Sequence, residues 1–512
     1  MVSAIGRREF ILGAGAFSAL PVLGEESPRM RIGVLADIHC STYEKTETFR
    51  HALAYFDENG CDGVVICGDL TNYGHISELL AVGRAWDEVF PGDVRSDGGH
   101  VEKLFIYGDH DMGGYMHLRE EEWNDPSQVI PLTDPAAAWK SAFHEDWAPI
   151  RVKTVKGYAF VLASHPAHDA ASEGGQRIPG LEKGLSEQAP RGDLPFFHVQ
   201  HRVIQGTAGG PDGWGQEGGA SREALNGFPN AIAFCGHAHT ECQDEQSIWQ
   251  GEFTAIEVPS LNHLGLRRGR ENSSEDDTPS KMMSAVNTGG GRQGLLMDVY
   301  GDRLVLARRD FIYDCEVAAP WVVPLPAPGM RPYGFETRAQ TTPAPQFAAG
   351  AAIGVRETTA QDRAGVSHRA YQVRFPPAHA TQETPRAFDY EVELQVRDAM
   401  GERTVSVKRV YSYNGHFPEY KDTADVLCVF AADVLPMTAD AVRFLVRPVG
   451  CFERRGEALV SGWLGGSAVP SGPTAQAASS SETIESWRLD PVLSGEVRIR
   501  STPPTGLGVL VR

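Results

Sequence analysis

Arg31-Ile32-Gly33-Val34-Leu35-Ala36-Asp37-Ile38-His39 is an apolar run that ends on an acid and a histidine two residues apart. The same construction recurs down the chain. Gly63 to Cys67 runs into Gly68-Asp69, Lys103 to Tyr107 into Gly108-Asp109-His110-Asp111, and Ala231 to Cys235 into Gly236-His237-Ala238-His239, while Pro195 to His198 ends on its own histidine. Short apolar runs closed by turn residues read as buried strands. Helical spacing fills the intervals: Thr46 to Asp57, and Ile76 to Phe90 with Leu79, Leu80, Val82 and Trp86 as its apolar set. Strands alternating with helices predict an α/β layered domain. Tyr158 to Ala163 and Phe253 to Val258 add strands, and Gly294 to Tyr300 with Arg303 to Arg309 make a hairpin around Gly301-Asp302.

The five motifs matter together. In an open α/β sheet the carboxyl ends of the strands converge on the ligand site. Five strand ends would therefore deliver three aspartates and four or five histidines to one edge. Residues i and i+2 both reach inward once the chain turns, and glycine before Asp69, Asp109 and His237 permits a sharp turn. Mixed carboxylate and imidazole donors suit zinc, iron, manganese or cobalt. Each motif alone is a common surface or turn sequence, so the ordered set carries the reading.

The chain has 512 residues, 41% hydrophobic and 22% charged, enough for a sizeable core. Its formal net charge of −20 argues against a nucleic-acid partner and against attraction to anionic membrane. An acidic protein that binds an anion must make positive potential locally, and bound metal is one way to do so. None of the eight cysteines forms a CxxC pair, which excludes zinc-ribbon and thioredoxin readings. Cys61, Cys67 and Cys235 read as small core residues, and disulfide pairing is left open.

Arg7-Arg8 precede an uncharged stretch from Phe10 to Leu23. That stretch is too short and too rich in glycine and alanine to span a bilayer, and it resembles a twin-arginine export signal. Residues 1–27 are assigned to this signal, with a periplasmic or extracellular destination and no transmembrane span. Residues 28–318 make the α/β domain and 319–346 a proline-rich linker. Residues 347–465 read as a small β-sandwich, from the alternation in Tyr390 to Val396, Thr404 to Tyr411 and Val442 to Val449. Residues 466–512 read as a low-complexity linker and tail. Gly206 to Ala220 and Arg267 to Arg292 are long glycine-rich interruptions, which in a compact domain are usually functional or mobile.

The order and residue types of the five motifs resemble the calcineurin-like metallophosphoesterase superfamily, whose pattern is D-x-H, G-D, G-N-H-[DE], H and G-H-x-H. The likeness runs from Met30 to about Phe311. It implies a four-layer α/β/β/α sandwich and two divalent metal ions. Carried over by position, Asp37, His39 and His239 bind one ion, His198 and His237 bind the other with Asp109, and Asp69 bridges both. His110 becomes the acid that protonates the leaving oxygen or steadies the attacking hydroxide. Two positions depart from the pattern. Asp109 stands where the family has Asn, and His198-Val199-Gln200-His201 stands for the usual His-x-Pro, which makes His201 a rival to His198. His165, before Pro166, comes early in the order, and with His168 it reads as a loop histidine. The implied activity is hydrolysis of a small phosphorylated substrate, monoester or diester. The alternative is a phosphoryl-ligand binding protein in which Asp109 impairs the second metal site. Two cations about 3.5–4 Å apart clamp phosphoryl oxygens and acidify a water, and a histidine titrating near neutrality assists the leaving group. The sandwich resembles fibronectin type III-like domains of secreted phosphoesterases through Val446-Arg447-Pro448 and Gly456-Glu457.

Overall fold

The computed structural model describes residues 27–113, 134–165, 178–188, 194–211, 213–273, 278–286, 291–325, 331–378, 386–411 and 425–465. The expected export signal up to residue 26, His168 and the expected C-terminal tail, 466–512, lie outside them. β1 (Met30–Leu35), β2 (Gly63–Ile66) and β3 (Glu102–Phe105) pair in parallel, so both faces of this sheet must be covered. One cover is helical. α1 (Glu47–Glu58) turns Phe49, Ala52, Leu53 and Phe56 inward at the spacing of one helix face. Losing Phe56 to alanine there would cost roughly 3–5 kcal/mol. α2 (Ile76–Val89) starts where Glu78 accepts the backbone N–H groups of Tyr73 and His75, and it buries Leu79, Val82 and Trp86. α3 (Asp109–Gly113) is a short turn after β3, and α4 (Pro135–Phe143) packs on α2.

The chain then builds a second sheet from β4 (Ile150–Val155), β5 (Tyr158–Ala163), β6 (Phe196–Val199), β7 (Ala231–Cys235), β8 (Ile248–Gln250) and β9 (Thr254–Glu257), in the order β4-β5-β6-β7-β9-β8. α5 (Leu181–Gln188) and α6 (Ala220–Leu225) place Leu181, Leu185 and Leu225 against its outer face. β10 (Gln293–Val299), β11 (Arg303–Asp310) and β12 (Cys315–Pro324) return to the first sheet, giving β12-β11-β10-β1-β2-β3. Ile32, Val34, Val65, Phe160, Phe197 and Phe234 fill the space between the sheets. The layers are α/β/β/α, the fold expected from the motifs. Among the described residues no helix is long and apolar enough to cross a membrane.

The linker expected over 319–346 is corrected at its start. Residues 319–324 complete β12, which tolerates Pro320 and Pro324 because it is an edge strand. Tyr333 is then buried against the inter-sheet core, and α7 (Phe335–Thr341) pairs Arg338 with Glu245.

An all-β region follows. β13 (Gly354–Gln361), β14 (Ser367–Phe375), β15 (Asp389–Asp398), β16 (Gly401–Tyr411), β17 (Val426–Ala431) and β18 (Ala441–Val449) form two antiparallel sheets, β13-β14-β17 and β16-β15-β18 with two short strands beyond. Alternation buries Tyr390, Val392, Leu394 and Val396 of β15 and Val442, Phe444 and Val446 of β18 in one core. The loop after β9 lies on this region. Arg270 donates to Asp389 at 2.8 Å, Lys408 pairs with Glu271 at 2.8 Å, and the Tyr411 hydroxyl donates to the Arg267 carbonyl at 2.6 Å.

Candidate metal centre

Asp37, His39, Asp69, His237 and His239 all have positive φ, at 53°, 46°, 51°, 74° and 58°. A left-handed backbone is uncommon for residues other than glycine, costs of order 1 kcal/mol each, and collects at functional sites. Here each strand leaves its sheet through such a turn. β3 leaves through Gly108, where a Cβ would lie 2.2 Å from an Asp69 oxygen. Only glycine lets the second and third motifs approach so closely. Asp111 locks the same two loops together. Its buried carboxylate accepts the N–H groups of Leu70, Thr71 and Gly108 at 3.1, 2.8 and 2.7 Å and the Thr71 hydroxyl at 2.7 Å, and burial raises its pKa to about 7. The two sheets join at the site, where Leu261 N–H, after β9, donates to the Ala36 carbonyl, after β1, at 3.0 Å; within the second sheet, Gly236 N–H donates to the His201 carbonyl at 2.7 Å.

The donor atoms form groups that share Asp69. In the first, His39 Nε2 lies 3.9 Å from Asp37 Oδ1 and 3.5 Å from Asp69 Oδ2, and His239 Nε2 lies 3.2 Å from Asp37 Oδ1. In the second, His201 Nε2 lies 3.2 Å from Asp69 Oδ1 and 3.1 Å from Asp109 Oδ1, and His237 Nδ1 lies 3.4 Å from Asp109 Oδ2. Asp69 thus turns one oxygen to each group. His110 also brings a ring nitrogen within 4.8 Å of the His39 and Asp69 donors.

Three of these rings are fixed from behind by a backbone carbonyl. His201 Nδ1 meets the Cys67 carbonyl at 2.8 Å, His239 Nδ1 the His263 carbonyl at 3.1 Å, and His110 Nδ1 the Asn72 carbonyl at 2.7 Å. A carbonyl can only accept, so each Nδ1 carries its hydrogen and each Nε2 is presented to the site, the usual support of a ligating histidine. Asp37 is held by the His237 N–H, at 3.1 and 3.0 Å from its two oxygens.

The charges are balanced. Burial alone would raise the pKa of Asp37, Asp69 and Asp109. His239 for Asp37, His201 for Asp69, and His237 with His201 for Asp109 overcome it and hold all three below the carboxylate range. Burial likewise opposes protonation of His201 and His239, and the carboxylates override it to raise both. His39 is pulled down to about 3 by burial, so it stays neutral. Ring protons thus balance the acids here. Divalent cations would do so with the imidazoles neutral, and two Nε2 atoms facing each other at 3.1 Å in His39 and His239 fit that state. The oxygen and nitrogen donor set fits zinc or another first-row transition ion.

The structure brings His201, not His198, to the other donors. β6 runs one residue past the expected end, to Val199, so His198 stays within the sheet in register with Val161 and Ala233. Alternation turns it to the face of Phe196, away from Phe197 and Val199 in the inter-sheet core. Its Nε2 meets Gln200 Oε1 at 2.9 Å. His165 lies beside His201, ring centroids 6.3 Å apart, and joins neither group. Three neighbours of the site had no motif to announce them. Arg202 pairs with Asp109 at 3.1 Å, His263 stands 4.2 Å from His239 between ring centroids, and Trp214 stacks on His237.

Residues 30–241 match the family model of the calcineurin-like phosphoesterases, and the buried Asp/His cluster lies within them. No curated protein sequence matches the chain. Among solved structures, the chain is similar to a dimetal phosphatase from Danio rerio at 14% identity, over 58% of this chain and 99% of that one, with a TM-score of 0.35. It is also similar to the protein described as the anchor in the inner membrane complex of Plasmodium, at 12% identity, over 58% and 88%, with a TM-score of 0.34. A predicted phosphoesterase from Streptococcus pneumoniae is similar at 11% identity, over 58% and 97%, with a TM-score of 0.24.

Proposed function

We propose that this chain is a two-metal phosphoesterase acting on a phosphomonoester or phosphodiester. Asp37, His39 and His239 hold one divalent ion, Asp109, His201 and His237 hold the other, and Asp69 serves both. One observation carries the reading: Asp69 Oδ2 lies 3.5 Å from His39 Nε2 while its Oδ1 lies 3.2 Å from His201 Nε2, so a single carboxylate faces both donor groups. Two divalent ions, when bound, draw charge from phosphoryl oxygens and acidify a water.

The protein's own groups do the rest. The carbonyl-anchored rings of His201 and His239 keep their Nε2 atoms aimed without reorganisation. His110 is the proton donor. Its Nδ1–H is committed to Asn72, and its ring stands edge-on to His39 with centroids 4.6 Å apart. Burial lowers its pKa, and the Asp69 charge with the Asn72 carbonyl raises it above the ordinary value. With Nδ1–H committed to Asn72, the proton His110 passes to the leaving oxygen is the one on Nε2. His110→Ala keeps both metals and lowers turnover by roughly 10²–10⁴-fold, while Asp69→Asn loses metal. The opposite pattern would overturn the assignment. Export by the twin-arginine route belongs to the same reading, supported by Arg7-Arg8 ahead of the uncharged stretch to Leu23.

A further inference from the structure

Trp214 is the one exposed tryptophan among the described residues, with 60% of its surface open. Its indole stacks on the His237 imidazole, ring centroids 5.0 Å apart and planes 13° from parallel. The loop that carries it is shaped for this contact. Gly215 has a φ of +80°, and a Cβ there would lie 2.7 Å from His237 Cδ2. No larger residue would let the loop press onto the ring. Gln216 fastens the loop: its Oε1 accepts the Gly206 N–H at 3.0 Å and its Nε2 donates to the Gly210 carbonyl at 2.6 Å. A backbone bridge from Gln216 to Val203 ties it beside His201. His237 does not need the indole to hold its place, because its own N–H is anchored on Asp37.

We propose that Trp214 is a specificity-determining residue, a stacking platform that selects phosphate esters whose alcohol half carries a planar ring, aryl or nucleoside, over esters of aliphatic alcohols. This rests on the phosphoesterase reading and adds a substrate class to it. The indole borders the donor group of Asp109, His201 and His237, whose bound ion would face the phosphoryl group, so a ring a few bonds from phosphorus comes within reach of its open surface. An aromatic platform also supplies affinity without a cation, which suits a chain with a net charge of −20. A ring stacked on an aromatic side chain contributes affinity on the order of tenfold.

Calorimetric titration of the metal-loaded protein with phenylphosphonate and methylphosphonate tests this without turnover. The expected result is that phenylphosphonate binds about tenfold more tightly than methylphosphonate. Trp214→Ala brings the ratio close to one with methylphosphonate binding unchanged, and Trp214→Phe keeps most of the preference. Trp214 is exposed, so neither change leaves a cavity. A preference that survives in Trp214→Ala, or equal binding of the two phosphonates to the wild-type chain, overturns the platform and leaves the phosphoesterase reading standing. If neither phosphonate binds the loaded protein, the phosphoesterase reading fails and the platform fails with it.

Discussion

The Arg202 guanidinium stands 3.1 Å from Asp109 Oδ2, while Asp109 Oδ1 lies 3.1 Å from His201 Nε2. An aspartate here lowers the formal charge of the cluster by one relative to the family's asparagine, and the guanidinium restores it. Under the proposed function, the pair would combine the hold of a charged donor with a local potential that still attracts phosphate. Arg202→Met is therefore expected to raise KM for an anionic ester about tenfold with metal content unchanged. Asp109→Asn lowers metal affinity by at least about tenfold, and the double variant has a KM nearer the wild-type value than Arg202→Met alone. Steady-state kinetics beside metal titration reads all three, and an unchanged KM in Arg202→Met would remove Arg202 from this role.

The placement of the fourth-motif histidine is tested by metal content. His201→Ala is expected to lose one ion, because its Nε2 faces both Asp69 and Asp109. His198→Ala is expected to keep both ions and to unfold at lower temperature, since it empties a fully buried position in β6. Loss of metal from His198→Ala alone would reverse the assignment.

These two histidines also mark where the sequence stops being legible. Apolar runs ending on Asp-x-His, Gly-Asp and Gly-His-x-His announce the sheets and most of the donors, because strand burial and sharp turns leave residue-level traces. The end of β6 leaves none. Val199 is as apolar as the strand before it, so the last strand residue is ambiguous by one, and a shift of one turns a side chain to the other face. Arg202 and Trp214 reach the site through loops, and their contacts depend on three-dimensional approach. The Gly215 that permits the stack on His237 looks, in sequence, like any other residue of a glycine-rich stretch.

Glu257, at the end of β9, gives the fold a pH dependence of known sign. Burial raises its pKa to about 7, with Thr240 opposing. In the unfolded chain a glutamate ionises near about 4.3. Between those values the folded state keeps a proton that the unfolded state has lost. The stabilising contribution is full below the unfolded pKa and is lost as pH rises through the folded one. Glu257→Gln removes this contribution. Thermal unfolding of metal-free protein should show wild type losing more stability from about pH 4.5 to about 7.5 than Glu257→Gln does. Equal losses would show that Glu257 does not titrate in that window.

The paired arginines before Phe10 are expected to direct export. Fractionation of cells making the Arg7→Lys, Arg8→Lys double variant should find the protein retained in the cytoplasm. Normal export of that variant would exclude twin-arginine targeting.

The central claim is that two donor groups, linked by Asp69 through His39 on one side and His201 on the other, hold two ions that the chemistry requires. Elemental analysis of the purified chain, paired with hydrolysis of p-nitrophenyl phosphate and its bis-ester, tests it most directly. The account predicts close to two divalent ions per chain, loss of hydrolysis on chelation, and recovery when metal is returned. Fewer than about one ion per chain after reconstitution, or hydrolysis that persists once the metal is gone, would contradict it.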